Sequence, residues 1–425
     1  MRYTALILIL LFGAGLWCPA AARAQTPRLM TLADLVTAAD QRNPAVVAAR
    51  QAVSAAEAAV ALAKSGRGPT LTASGGTGTS GSTTPSSTTG FNASVSLGAS
   101  YVVYDSGQIA YAVKQAEANL QSARFALEAA RQDVSLTVAI SYISVLTAQR
   151  NVTVREQVVA QNQELLRLAE GQFRAGAVAR ADVVNAQANL AAAEGDLISA
   201  RNAVDQSKAS LNAAIGQAAA IPVAVAPAPA VPPVTLTLAS LANFVDQRPE
   251  VRKAMADIAA AAAAVQLAQA GGGLRVTLNG AVTRAQAPTE QTIYSVGATA
   301  SIPVSDAGRT DASVAQASAN LEAAKARIET ARLNAQQQSV QAFLNVQNAQ
   351  ARIVSTRAGL EFALESLRLA QGRYAAGAGT IIEVTTAQTT LLQAQVNLAS
   401  AESDQLAGVI NLRYSIGRSV VDGAL

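Results

Sequence analysis

The chain is one unit written twice, and that duplication limits its fold more than any other feature. Set against itself at an offset of 201, Tyr104-Asp105-Ser106-Gly107 falls on Ser305-Asp306-Ala307-Gly308. The match then runs without a gap to Ile215-Gly216 on Ile416-Gly417, with roughly a third of the aligned positions identical. Upstream the offset becomes 205, placing Asn43-Pro44 on Arg248-Pro249 and Leu71-Thr72 on Val276-Thr277. The four-residue difference falls between Gly76 and Phe91, in a Ser/Thr/Gly tract that reads as an exposed loop tip. A Pro-rich segment, Pro222 to Pro233, reads as an extended linker. The expected organisation is a signal peptide at 1–24, a first repeat at 25–220, a linker at 221–237 and a second repeat at 238–425.

Within each copy the apolar residues fall on period seven. Val113, Leu120, Leu127 and Val134 form one column, and after a step of four Val138, Val145, Val152, Val159, Leu166 and Phe173 continue it. Such a step is a coiled-coil stutter, which changes the supercoil without ending the helix. A second arm carries Val183, Leu190, Leu197, Val204 and Leu211. The other copy repeats the design with Val346, Ile353, Leu360, Leu367 and Tyr374, then Val384, Leu391, Leu398 and Leu412, with Gln405 interrupting. Shorter columns stand at Val46, Val53 and Val60 and at Val251, Ile258 and Val265. The pattern predicts a helix from about Gly107 to Arg174, roughly 100 Å long at 1.5 Å per residue.

Between the short and long helices the period drops to two. Val95, Leu97, Ala99, Tyr101 and Val103 alternate with Ser94, Ser96, Gly98 and Ser100, and Val296, Ala298, Ala300, Ile302 and Val304 do the same in the other copy. Partner strands are expected from Leu71 to Gly78 and from Val276 to Thr283. These two-faced strands have the length that crosses a tilted bilayer. Each copy then supplies one hairpin and the chain four strands. Four strands cannot close a barrel, so a membrane-spanning role demands an oligomer. On this pattern alone, a small soluble sheet capping a helical rod is the other reading.

Composition narrows the chemistry. Half the residues are hydrophobic but only 4% are aromatic, which suits closely packed helices better than a thick globular core. There is no His, the usual general base and commonest transition-metal ligand, and only one Cys. No catalytic residues, cofactor or metal site are therefore expected. The charges, 32 basic against 28 acidic, are interspersed, so no nucleic-acid partner is expected. Arg2, the apolar stretch Ala5 to Trp17 and Ala22-Arg23-Ala24 read as an export signal cleaved between Ala24 and Gln25. Cys18 follows Leu16-Trp17 rather than a small residue, so lipid attachment there is not expected. Beyond the signal, no long uninterrupted apolar run reads as a transmembrane helix.

Two aligned segments punctuate the long helices: Ala169-Glu170-Gly171-Gln172-Phe173-Arg174-Ala175-Gly176 and Ala370-Gln371-Gly372-Arg373-Tyr374-Ala375-Ala376-Gly377. Gly176 and Gly377 read as left-handed C-terminal glycines. Thr380-Ile381-Ile382-Glu383 fits a capping box, with Thr380 as N-cap and Glu383 reaching back. Copies of Asp182 and Glu383 around a symmetric oligomer would also form acidic rings at a constriction. The Gly75-Gly76 and Gly271-Gly272-Gly273 runs lack the strand-turn-helix setting of a nucleotide loop and are expected to ease bends from helix to strand.

In this order, and twice over, these features resemble the TolC family of outer-membrane efflux and secretion channels. The resemblance implies a mainly α fold with a small β part: a homotrimer whose four strands per chain build a twelve-stranded transmembrane β-barrel, continued by a long α-helical coiled-coil barrel through the periplasm. It implies a passive exit duct with outer-membrane lipid around the barrel, a periplasmic adaptor protein at the tips, and an inner-membrane transporter of RND, ABC or MFS type. Gly176, Ala177 and Val178 with Gly377, Ala378 and Gly379 match the family's adaptor-contacting tips. Glu383 matches an aperture acid, while the second acid position is Thr386. Asp182 and Tyr374 match two members of the closed-state link; the family's Arg is replaced by Gly379, with Arg180 as the nearby substitute. A secreted trimeric coiled-coil protein without a pore is the alternative.

Overall fold

The computed structural model describes residues 29–80, 90–228, 234, 236–286 and 290–421. The export signal, its cleavage point, Cys18 and most of the expected loop tip lie outside the described residues.

Capping chemistry starts the short helices. Thr31 and Asp34 bond each other's backbone N–H groups and open α1 (Leu32–Arg42). The Asn43 side chain accepts from Ala45 N–H at 2.9 Å and opens α2 (Pro44–Ser65), whose proline needs no donor at that position. In the second copy a 3-10 helix (Leu238–Gln247) and α5 (Pro249–Ala270) occupy the same places. By length and apolarity α2 could cross a membrane, an exception to the sequence expectation. It lies instead along the next helix, with Lys64 paired to Glu117 at 2.9 Å and Glu57 to Arg124 at 3.3 Å.

Two helices of 67 residues dominate: α3 (Gln108–Arg174) and α6 (Arg309–Ala375). Their entry is the duplicated Asp-x-Gly. Ser106 and Ala307 sit at φ +54°, and the Asp two residues before each glycine caps the first turn. Asp105 accepts from Gly107 and Ile109 N–H at 3.0 and 2.6 Å; Asp306 accepts from Gly308 and Thr310 N–H at 3.1 and 2.8 Å. The Thr310 hydroxyl and N–H hold the Asp306 carboxyl below its ordinary pKa. Each long helix folds back into a shorter one, α4 (Arg180–Ile215) and α7 (Ile381–Ser415). The stutter passes without a break, and Val134 and Val138 on its two sides are both buried.

Strands β2 (Thr70–Ser80), β3 (Gly90–Tyr104), β5 (Arg275–Gln286) and β6 (Glu290–Ser301) form an antiparallel sheet in chain order, the two hairpins joined through β3 and β5. One face is polar and cross-linked: Ser74 to Ser96 at 2.7 Å, Ser100 to Asn279 at 3.0 Å and Asn279 to Thr299 at 3.4 Å. Two expectations fail here. The last strand stops at Ser301, short of Ile302 and Val304, because Pro303 offers no N–H to a ladder. Gly75-Gly76 lie inside β2, opposite Val95 and Ser94, rather than at a bend; Gly271-Gly272-Gly273 do occupy the turn between α5 and β5.

At mid-length the linker is more than a spacer. Ala224–Val225 (β4) pair in parallel with Leu29–Met30 (β1), and Tyr142 donates to the Ala226 carbonyl at 2.7 Å. This clasp closes over a core of Leu35, Val46, Val138, Val145, Leu211 and Ile215. On the other side Arg248 is buried and donates to Gln338 at 2.7 Å and Glu250 at 3.1 Å. Its guanidinium stands 5.4 Å from the Tyr414 ring, and the Tyr414 hydroxyl donates to Asp133 at 2.6 Å. Burial, then Asp133, push the Tyr414 pKa up. One salt-linked cluster thus ties α3 to α5, α6 and α7.

Candidate functional site: the hairpin tips

Both turns at the far ends of the helices are built by the same backbone bonds. Ala177 N–H reaches the Gln172 carbonyl at 2.8 Å and Ala378 N–H the Arg373 carbonyl at 2.9 Å, around Gly176 at φ +75° and Gly377 at φ +71°. Left-handed backbone of this kind favours glycine, as the sequence requires. Asp182 and Glu383 then fall in the first turns of α4 and α7. There a carboxylate meets the positive end of the helix dipole.

One apolar cluster fuses the two hairpins. Leu165 and Ala169 of α3, Ala186 of α4, Leu367 and Tyr374 of α6, and Ile381, Val384 and Leu391 of α7 belong to it. Across the seam Gln172 Nε2 donates to the Tyr374 carbonyl at 3.1 Å. The Tyr374 hydroxyl is buried without a hydrogen-bond partner and faces Asp182; burial first, then that carboxylate, raise its pKa. The structure therefore brings Asp182 and Tyr374 together within one chain, close enough to feel each other's charge but short of a formed bond. Beside Tyr374 lies a cavity of about 460 Å³ lined by residues that include Gln161, Leu168, Gln371 and Val384.

Glu383 has a partner that the sequence does not suggest. Only the forward half of the expected capping box forms: Thr380 accepts from Glu383 N–H at 3.3 Å. The carboxylate faces Arg373 instead, with 3.4 Å between Nη1 and Oε2, while Nη2 of Arg373 donates to the Ala378 carbonyl at 3.3 Å. Arg180 is exposed and makes no ion pair among the described residues. At Gly379 a Cβ would stand 3.0 Å from Arg373 Cβ and 3.2 Å from Tyr374 N, so the turn closes tightly only without a side chain. Arg373 and Gln172 occupy the same repeat position, and each makes a tip-closing contact. That coincidence between the two copies is the sequence signal for both.

One pair of opposite charges sits further up each hairpin. Glu164–Arg167 and Glu365–Arg368 are repeat equivalents, and in both the arginine's bond holds the glutamate below its ordinary pKa.

The family model described as outer membrane efflux protein matches residues 35–217 and 241–418. Nodulation protein T of Rhizobium leguminosarum bv. trifolii is 26% identical over 321 residues, covering 71% of this chain and 69% of its own. Outer membrane efflux protein BepC of Brucella suis biovar 1 is 24% identical over 409 residues, covering 92% and 86%. Among solved structures, that of CusC, reported in connection with folding and transmembrane channel formation, superposes with a TM-score of 0.81 at 20% identity, covering 91% of this chain and 92% of its own.

Proposed function

The chain belongs to the outer membrane efflux protein family, as an outer-membrane channel reaching into the periplasm, and we propose that three copies form the exit duct of an efflux pump or a type I secretion system. One observation carries the reading. β2 and β6 are the outer strands of the sheet, so each has a backbone edge without a strand partner among the described residues. Open edges do not persist in lipid. Setting β6 of one copy beside β2 of the next repeats the antiparallel junction of β3 with β5, and three copies supply the twelve strands of a closed barrel. Exposed Val354, Phe362 and Leu369 on α6, with Val184 and Ile198 on α4, support the same packing between copies lower down.

In such a trimer the long helices wall a tube and the tips form its inner mouth. Asp182 and Glu383 supply the acids of the aperture, Tyr374 and Arg180 stand beside them, and Gly176, Ala177, Val178, Gly377, Ala378 and Gly379 meet a periplasmic adaptor. An inner-membrane transporter supplies the energy. Cargo passes without chemistry, after a signal peptide has been removed at Ala24. Heat-resistant trimers in the outer-membrane fraction, conducting in planar bilayers, are the expected result; soluble, non-conducting chains overturn the reading. Crosslinking from Gly176→Cys and Gly377→Cys in cells identifies the adaptor and pump, and so separates efflux from secretion.

A further inference from the structure

The four strands carry three charged residues, Arg275, Arg284 and Glu290, and these are divided between the two faces of the sheet. Side chains alternate along a strand, so Arg275 shares a face with Thr277 and Asn279, while Arg284 stands with Val276 and Val282 on the other. The face of Arg275 is the one cross-linked through Ser74, Ser96, Ser100 and Thr299. In a membrane barrel the polar face lines the lumen. Arg275 is therefore the one charge that the described strand residues turn toward the pore.

Its place is fixed from below. Arg275 opens β5 at the end of the sheet nearest the helices, opposite Ser301. The turn before it is pinned to the start of α3: Ser106 donates to the Leu274 carbonyl at 2.9 Å and Gln108 to the Ala270 carbonyl at 3.0 Å. Arg275 is exposed and makes no ion pair among the described residues. Of the acids that open the long helices, Asp105 and Asp306 are held by the first N–H groups of α3 and α6, and Asp311 makes no ion pair with Arg275. The repeat equivalent of Arg275 is Thr70, so each chain offers one such charge and not two.

We propose that the three Arg275 side chains of the trimer form a collar where the barrel opens into the helical tube, and that it binds one phosphate-bearing polyanion on the threefold axis. The site rests on the trimeric channel reading, because no single chain completes it. Twelve strands about 4.8 Å apart and tilted about 40° enclose a barrel about 24 Å across, backbone to backbone. An arginine stem covers roughly half the way from wall to axis, so the guanidinium groups surround a space about 12 Å wide. Each planar fork matches two phosphate oxygens. A single inorganic phosphate reaches only one fork, so width and valence select the ligand. Salt sets the range of the collar: at 0.01 M the Debye length is about 30 Å and all three charges act at the axis, whereas at 1 M it is about 3 Å and they do not.

The full-length protein, extracted as a heat-resistant trimer, is titrated with inositol hexakisphosphate; native mass spectrometry counts the bound molecules and calorimetry reads the affinity. Wild type is expected to hold one molecule per trimer, more weakly as salt rises. Arg275→Thr, which gives the second copy the first copy's residue, should bind about a hundredfold more weakly, roughly fivefold for each of three exposed charge pairs. Arg275→Lys, which keeps the charges and loses the fork, should fall between the two. Arg284→Gln, on the opposite face, should bind as wild type does. In planar bilayers the polyanion added from the outer side should lower the wild-type current and leave that of Arg275→Thr unchanged. Equal binding by wild type and Arg275→Thr, loss of binding in Arg284→Gln, three molecules per trimer, or indifference to salt overturns the collar. A conducting trimer that binds no hexakisphosphate sinks this proposal alone. Chains that neither trimerise nor conduct sink the channel reading as well.

Discussion

At repeat-equivalent positions the first tip leaves Phe173 44% exposed, while the second buries Tyr374 to 2%. The contrast extends around the turn. Ala179 offers α4 no side-chain cap where Thr380 caps α7; Val178 carries a side chain where Gly379 has no room for one; Gln172 reaches across to the other hairpin where Arg373 folds onto its own Glu383. Identical backbone bonds thus support two different loads: the first tip presents side chains outward, and the second is drawn in around Tyr374. The belt shows the same divergence. Asn43 closes the first copy with a 2.7 Å bond to the Ala214 carbonyl, and Gly216 packs so tightly that a Cβ would stand 2.7 Å from the Arg42 carbonyl oxygen. Its equivalent, Gly417, has 3.7 Å to its nearest neighbour, because the Arg248 cluster holds that junction with longer side chains. Duplication preserved the turns and freed the contacts made through them.

The largest expected effect separates the tips directly. Tyr374→Ala should cost about 3 kcal/mol and Phe173→Ala about 1 kcal/mol, since only the first removes a fully enclosed ring. Hydrogen exchange over residues 370–390 against 165–185 reads the difference, and equal losses would erase the contrast. At the belt, Gly216→Ala should cost about 2–4 kcal/mol and Gly417→Ala about 1 kcal/mol, because both strain a left-handed backbone but only the first also strikes a carbonyl. Thermal unfolding of the two variants checks that order. Gly379→Val, which gives the second tip the first tip's residue, should cost about 1–2 kcal/mol by crowding Arg373 and Tyr374, and should shorten the closed state in single-channel records. An unchanged closed lifetime would show that the tight turn does not hold the gate.

The smallest effect is a matter of pH. The raised pKa of Tyr374 means that the folded chain holds its proton more firmly than the unfolded chain does. That contribution is complete below about pH 10 and is lost as pH rises through the folded value. Wild type should therefore lose stability relative to Tyr374→Phe as pH rises above about 10, whereas near neutrality the phenol's ionisation should add no difference between the two. A constant difference across that range would mean that Asp182 and burial do not act on the phenol.

Much of this architecture is legible in the amino-acid order alone. The period-seven columns locate six helices and the stutter, and Asp105 and Asp306 mark the entries to the long pair. Gly176 and Gly377 mark the turns, because a left-handed residue after a long helix is a local requirement that glycine meets most easily. Edges are less legible. Alternation through Ile302 and Val304 suggests a longer β6, but a proline stops a ladder whatever its neighbours' polarity. Glu383 resembles half of a capping box, because nothing near it in sequence announces that Arg373 will be folded back beside it.

What the sequence by itself determined is the set of properties that depend on near neighbours: helix and strand period, caps, glycine turns, and the fact that the same hairpin occurs twice. The tertiary structure alone decided which residues of the two copies meet. Gln172 and Tyr374 lie 202 positions apart, Asp133 and Tyr414 lie 281 apart, and Val95 meets Arg284 only once two hairpins pair. The physical reason is that a period fixes the face a side chain occupies but not its height against another helix or strand. That height is set by the sheet at one end, the belt in the middle and the sum of packing along 67 residues between them.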